Sequence, residues 1–322
     1  MTISREKLLA EAEATGFRIE TLEKAIHLLN LLERFQTHPF LKGRLGLKGG
    51  TALNLFVFDL PRLSVDLGLN YIGAVRRDAM LAERPKVERA IRAVCSREGF
   101  SVRRAPEDHA GGKWWLRHET AVGQEGNLEV DLNYMHRLPL WAVMPRNSRQ
   151  LGSYRAMRIP VLDIHELAAG KLAALLSRRQ ARDVFDVHQV LTRGRFDHEL
   201  LRITFVAYGA MNRRDWRTVS VDDVEFDGRE LENRLVPLLR GQPEGATART
   251  PGFGERLVGE CLRALDIVLP LSEPEREFLD CLLERGEIAP WLLTRDQALA
   301  ERISRQPLLH WKALNMRRHK GL

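Results

Sequence analysis

Near the start of the chain the apolar positions recur at helical spacing. Leu22, Ala25, Ile26, Leu28, Leu29 and Leu32 share one face, which predicts a helix. Gly16 interrupts the pattern, so residues 4–36 read as two helices. A short strand is expected over 44–49 and a short helix over 51–58, ended by Pro61. From Leu63 the period shortens to two. Leu63, Val65, Leu67 and Leu69 point one way, and Ser64, Asp66, Gly68 and Asn70 the other. That alternation predicts a strand with one buried face and one face on a polar cleft. Residues 76–98 read as a long amphipathic helix with Pro85 as its candidate break. A strand over 100–104 follows, then a hairpin of 114–122 and 127–134 around Gly123-Gln124-Glu125-Gly126. Its second strand repeats the earlier pattern, with Leu128, Val130 and Leu132 on one face and Glu129, Asp131 and Asn133 on the other.

Beyond a short strand at 158–162 the pattern becomes helical. Asp163 has the look of an N-cap, with Glu166 three residues on as in a capping box. Its helix runs to about residue 177, and a second covers 182–192. An irregular stretch at 222–230 and a Gly/Pro-containing linker at 241–252 break the remainder. The expected organisation is a core with N-terminal helices over 1–195 and a helical region over 196–322. A chain of 322 residues has room for both.

Composition narrows the function classes. No apolar run approaches membrane-spanning length, so no membrane partner is expected. The N-terminal residues lack an apolar secretion segment. The three cysteines are widely spaced with no C-x-x-C, so neither a disulfide framework nor a zinc site is supported. The cytoplasm is the expected compartment. A net charge of +7 favours a polyanionic partner.

The chemistry concentrates in a few places. Gly49-Gly50-Thr51 stands between a strand and a helix, where glycines let backbone amides approach a phosphate and the helix N-terminus adds partial positive charge. A plain turn would read the same way. Asp66 lies on the polar face of an apolar strand, and Asp131 lies on a second strand with the same alternation. Phosphoryl transfer by two metal ions needs carboxylates that converge in this manner, although lone acids at strand ends are often simply solvated. Lys171, on the helix begun by Asp163, is a candidate point charge for a triphosphate. Arg182 and Asp186 stand four apart and can pair across a turn, which also fits a structural salt bridge. The ten histidines form no H-x₃-H or H-E-x-x-H pattern and read as surface or core residues, and neither G-x-S-x-G nor a Walker A sequence occurs.

Together these pieces resemble the AbiEii/AbiGii-type nucleotidyltransferase toxins, a branch of the DNA-polymerase-β-like nucleotidyltransferases. The resemblance rests on Leu47-Lys48-Gly49-Gly50-Thr51-Ala52-Leu53, on Arg62-Leu63-Ser64-Val65-Asp66, and on Lys171 with Arg182-Asp183-Val184-Phe185-Asp186. It extends to Glu277-Phe278-Leu279-Asp280, Gly286-Glu287-Ile288-Ala289-Pro290 and Pro307-Leu308-Leu309-His310-Trp311-Lys312. It implies an α/β (α+β) fold, a mixed-sheet nucleotidyltransferase core with a helical C-terminal region. It also implies a toxin of a bacterial toxin–antitoxin or phage-defence pair with a cognate antitoxin protein. Such an enzyme uses Mg²⁺ (or Mn²⁺) to move nucleotides from an NTP to RNA, with the tRNA 3′ end as the expected acceptor. Asp66, Asp131 and Lys171 then take the catalytic positions, with Asp66 and Asp131 as metal ligands. Lys48, Gly49, Gly50, Thr51, Ser64, Lys171, Arg182 and Asp183 bind the nucleotide. One position departs: Gly68 stands where the family carries its second Asp. That leaves an inactivating substitution, a natural pseudoenzyme, or a site in which Glu129 supplies the missing ligand. Outside this reading stand a non-catalytic nucleic-acid- or partner-binding protein, and transfer to a protein or small molecule.

Overall fold

The computed structural model describes residues 3–59, 61–104, 111–178, 180–241 and 247–321. The chain packs as two compact units. The first takes Met1–Arg137, Val143–Leu162 and Val236–Arg249, and the second Leu138–Ala142, Asp163–Leu235 and Thr250–Leu322. The two helices that follow Leu162 belong to the second unit, where they pack with one another and with later helices.

In the first unit α1 (Arg5–Thr15) ends at Gly16, whose φ of 73° suits a glycine cap. The helix α2 (Ile19–Thr37) buries the six apolar residues whose spacing predicts it. Next come β1 (Leu45–Lys48), α3 (Gly49–Ala52) widening into a π-helical turn at Leu53–Val57, and β2 (Asp66–Tyr71). The helix α4 (Arg77–Arg97) runs through Pro85 without ending there. Met80, Val87, Ala90, Ile91 and Val94 are buried on both sides of it, and side chains of that kind contribute roughly 1.5–3 kcal/mol each when fully buried. The remaining strands are β3 (Ser101–Arg104), β4 (Gly111–Glu119), β5 (Glu125–Asn133), β6 (Met144–Arg146) and β7 (Ile159–Val161).

Among the described residues, seven strands form one mixed sheet in the order β3-β4-β5-β2-β1-β7-β6. The central strand β2 is antiparallel to β1 and parallel to β5. Trp114, Leu116, Leu128, Val130 and Leu132 are buried on one face, while Lys113, Trp115, Arg117, Glu129 and Asp131 alternate onto the other. The edge strand β6 has no alternation to announce it, since Met144, Pro145 and Arg146 are all exposed. The expected linker at 241–252 is only partly one. Leu63 N–H donates to Leu238 O, Arg240 N–H to Pro61 O and Gly241 N–H to Gly16 O, which return this segment to the first unit. Residues 242–246 of that linker lie outside the described residues.

The second unit is helical: α5 (Ile164–Arg178), α6 (Ala181–Arg193), α7 (His198–Ala210), the single turn α8 (Gly228–Glu230), α9 (Phe253–Ala264), α10 (Glu273–Asp280), α11 (Gln297–Ser304) and α12 (Pro307–Lys320). The irregular stretch at 222–230 holds only short turns. Lys312 donates to the carbonyls of Ala210 and Asn212 and so caps the end of α7. Burial lowers its ammonium to about 8.

The capping box expected at Asp163 does not form. Asp163 accepts from His165 N–H, while Glu166 turns away to accept from Leu140 N–H, Trp141 N–H and the Tyr208 hydroxyl. Leu140 and Trp141 belong to a segment 26 and 25 residues back in sequence, and Tyr208 lies 42 residues ahead on α7. Glu166 is 3 % exposed. Burial pushes its carboxyl up to about 7, against the pull of its three donors.

A carboxyl raised on folding adds stability that is full below its unfolded value and is lost as pH rises through the folded one. Here the window runs from about 4.5 to about 7. Relative to Glu166→Gln, the parent protein should lose about 3 kcal/mol of stability across it. Denaturant midpoints of the two proteins between pH 4.5 and 8 measure this, and parallel pH profiles would contradict it.

Candidate active site

The turn between β1 and α3 is built on two glycines with different reasons to be glycine. Gly49 has φ of 75°, which disfavours any side chain. Gly50 is constrained by its surroundings: a Cβ there would lie 3.0 Å from Ser64 Oγ and 3.2 Å from Arg62 Nη2. Beneath this turn both Ser64 and Arg62 are buried. Ser64 therefore does not lie on β2, which begins at Asp66, but packs under the glycines two residues ahead of it. Thr51 is fully buried, and its hydroxyl donates to the Asp66 carbonyl at 2.6 Å. That side chain ties α3 to β2, which leaves only its backbone to meet a ligand.

Strand register assembles the acids. Asp66 is paired with Glu129 and Gly68 with Asp131, and on the other side Gly68 is paired with Lys48. Residues in register point to the same side of a sheet. Asp66, Gly68, Glu129, Asp131 and Lys48 thus share the face opposite the buried Leu67, Leu69, Val130 and Leu132. Asp66 is exposed. Lys48 reaches across the bare Gly68 position to place Nζ 3.6 Å from Asp131 Oδ2. Glu129 is held by Lys113 at 2.6 Å, so using it as a metal ligand would require Lys113 to let go. A Cβ on residue 68 would meet Lys48 Cγ and its carbonyl oxygen at 3.5 Å, ordinary contact distance. The position is open to a side chain and has none.

Three features of this face escape motif reading. His136 follows β5, with its N–H bonded to Asn133 Oδ1. Burial, and then the charge of Lys48, lower its imidazole to about 4, so it is neutral at physiological pH. Beside the acids lies a cleft of about 390 Å³ whose walls include Asp66, Glu129, Lys24, Arg103, Trp115 and Arg117. The Arg103 guanidinium stacks on Trp115 at 5.8 Å, and the indole is 37 % exposed. The signal for these residues was the two-residue period of β4, which sends Lys113, Trp115 and Arg117 to the side opposite Trp114 and Leu116.

The remaining sequence candidates belong to the second unit. Lys171 on α5 is bound by Asp183 at 2.9 Å and Asp186 at 2.8 Å, both from α6. The two carboxylates are almost wholly buried and the lysine side chain is 12 % exposed. The lysine so paired braces α5 against α6. Asp183 is engaged in the same triad, and Arg182 is half-buried beside it.

The donor set suits a hard divalent ion only in part, because Asp66 and Asp131 offer carboxylate oxygens and Gly68 offers none. No curated protein sequence matches the chain. Its fold is similar to that of MenT4, a nucleotidyltransferase toxin from Mycobacterium tuberculosis H37Rv. The two are 20 % identical with a TM-score of 0.59, over 93 % of this chain and 99 % of that one. Residues 30–256 match the sequence model of the family described as the nucleotidyl transferase AbiEii toxin of type IV toxin–antitoxin systems. The chain belongs to the AbiEii family of nucleotidyltransferase toxins.

Proposed function

We propose that this protein transfers nucleotides from an NTP to the 3′ end of an RNA, with tRNA as the acceptor, and that Gly68 leaves this form impaired. The observation that carries the reading is the register of β2, which puts a residue with no side chain between Lys48 and Asp131 at the centre of the acidic face. Asp66 and Asp131 would hold Mg²⁺ or Mn²⁺, which when bound offsets the charge of the triphosphate and the attacking oxygen. The chain's own groups do the rest. Backbone at Gly49-Gly50-Thr51 approaches the phosphates, supported from beneath by Arg62 and Ser64. Lys48 supplies a mobile positive charge, since an ion pair as exposed as Lys48–Asp131 is worth only about 0–1 kcal/mol and gives way readily. Neutral His136 adds no charge to repel it. Lys171, Asp183 and Arg182 act by fixing α5 against α6.

The cleft beside Asp66 suits a single-stranded acceptor. Arg103, Arg117 and Lys24 offer charge to phosphates, and exposed Trp115 offers a face on which a base stacks. The partners are therefore RNA and a cognate antitoxin, and the setting is the cytoplasm. Among the described residues no helix is long and apolar enough to cross a membrane. A second reading, a pseudoenzyme that binds RNA without reacting, is favoured by the same bare position, where Lys48 stands across the place a ligand would occupy.

Two outcomes follow. With labelled NTPs and total RNA, Gly68→Asp should incorporate label into RNase-sensitive product roughly 100-fold faster than the parent, the scale on which one transition-state electrostatic group matters. Equal rates would remove the missing-ligand account, and no incorporation by either protein would select the pseudoenzyme. In fluorescence-anisotropy titrations with a single-stranded RNA, Trp115→Ala should weaken binding by about 1–3 kcal/mol. Arg103→Ala should lower the salt slope by about one. Unchanged affinity and slope would move the acceptor off this cleft.

A further inference from the structure

On the covered side of the sheet, away from the acidic face, three ligating side chains meet. Glu23 and His27 stand four residues apart on α2, one helical turn on the same face. His118 comes from β4, on the side opposite Trp115 and Arg117. One ligand atom from each lies within 4.8 Å of the others. The His118 ring lies over Gly126, where a Cβ would come within 2.6 Å of Cε1, so only glycine at that position admits it. The His27 and His118 rings stand edge to face at 4.6 Å.

The cluster is costly as it stands. Both ring nitrogens of His118 are buried without a hydrogen-bond partner, although a neutral imidazole has one donor and one acceptor to satisfy. Glu23 is 3 % exposed. One of its oxygens accepts from Ala121 N–H at 2.7 Å, and among the described residues no cation pairs with it. A buried carboxylate and an unserved imidazole facing one another lack one thing that both would bind, a cation that accepts lone pairs.

We propose that Glu23, His27 and His118 form a binding site for one zinc ion, separate from the transfer face, with water as the fourth ligand. Two imidazole nitrogens and one carboxylate oxygen are a donor set that zinc takes and that Mg²⁺ disfavours. Closing on the ion asks the donors to draw in to about 3.3 Å from one another, as tetrahedral bonds of about 2.0–2.1 Å require. Two of the ligands are next in sequence to residues of the acceptor cleft: Glu23 precedes Lys24 and His118 follows Arg117, while Gly126 beneath the His118 ring precedes Asn127. The Lys24 ammonium donates to Asn127 Oδ1 at 3.2 Å across this junction. An ion here pins α2 to the β4–β5 hairpin and braces one wall of the cleft.

The test uses tag-free, full-length protein stripped with a chelator, and none of its readouts is activity. One equivalent of ZnCl₂ should be retained through desalting, with one zinc per chain by elemental analysis, and should raise the melting temperature by about 4 °C or more. Co²⁺ in its place should give the visible absorption bands of a tetrahedral site. Glu23→Gln, which preserves the side-chain shape, and His118→Phe, which preserves a ring, should each lose the retained zinc, the zinc-dependent shift and the cobalt bands. Asp131→Asn should keep all three. If the stripped parent retains no zinc and its melting temperature ignores it, the proposal is overturned. It is equally overturned if Glu23→Gln or His118→Phe binds zinc as the parent does, since the ion then lies elsewhere.

Discussion

The site depends on the register of β2 against its two neighbours. Lys48, Gly68 and Asp131 stand abreast on β1, β2 and β5, and Asp66 stands beside Glu129. A slip of one residue would turn Asp66 into the covered face and bring Leu67 out. The slip is prevented because Leu67, Leu69, Val130 and Leu132 are all buried on the far side. Thr51, buried beneath, clamps the start of the strand by its bond to the Asp66 carbonyl. Core packing that has no chemistry of its own thus positions the groups that do.

Electrostatics on this face follows from the same register. Two acids each have a lysine, Asp131 with Lys48 and Glu129 with Lys113. Both pairs are partly exposed, so they compensate charge without locking it, and a divalent ion or a triphosphate can displace them at little cost. The second unit shows the opposite regime. There Lys171 is sealed between Asp183 and Asp186, and removing one member of a buried set of this kind typically costs several kcal/mol. Burial, more than residue type, separates the adaptable lysine from the structural one.

What could be read in the chain beforehand followed local periodicity. The two N-terminal helices, the glycine turn and the strand carrying Asp131 stand where their spacing put them, whereas the strand carrying Asp66 begins at Asp66 and not at Leu63, which leaves Ser64 off it beneath the glycine turn. Edge strand β6 had no alternation to read. Partners distant in sequence were equally out of reach: Glu166 looked like half of a capping box, but its donors Leu140 and Trp141 come from an earlier segment. The pairing of Lys171 was not legible either, because the chain does not reveal that α6 returns two carboxylates to it. The cluster of Glu23, His27 and His118 spans a helix and a strand some ninety residues apart. A search for histidine motifs within one helix passes over such a site. The cleft residues Arg103, Trp115 and Arg117 were legible in the period of their strands, but their meaning came only when Asp66 was found beside them.

The central claim is that Gly68 is a missing metal ligand, and metal binding tests it without depending on turnover. Titrating Mn²⁺ into the parent, Gly68→Asp and Asp131→Asn, each with a non-hydrolysable NTP analogue, and following free Mn²⁺ by electron paramagnetic resonance, separates the contributions. Restoring a carboxylate at position 68 should tighten Mn²⁺ binding about tenfold or more, and removing the one at 131 should weaken it, since a hard divalent ion gains or loses an anionic oxygen donor. Equal Mn²⁺ affinity in the parent and Gly68→Asp would contradict the account.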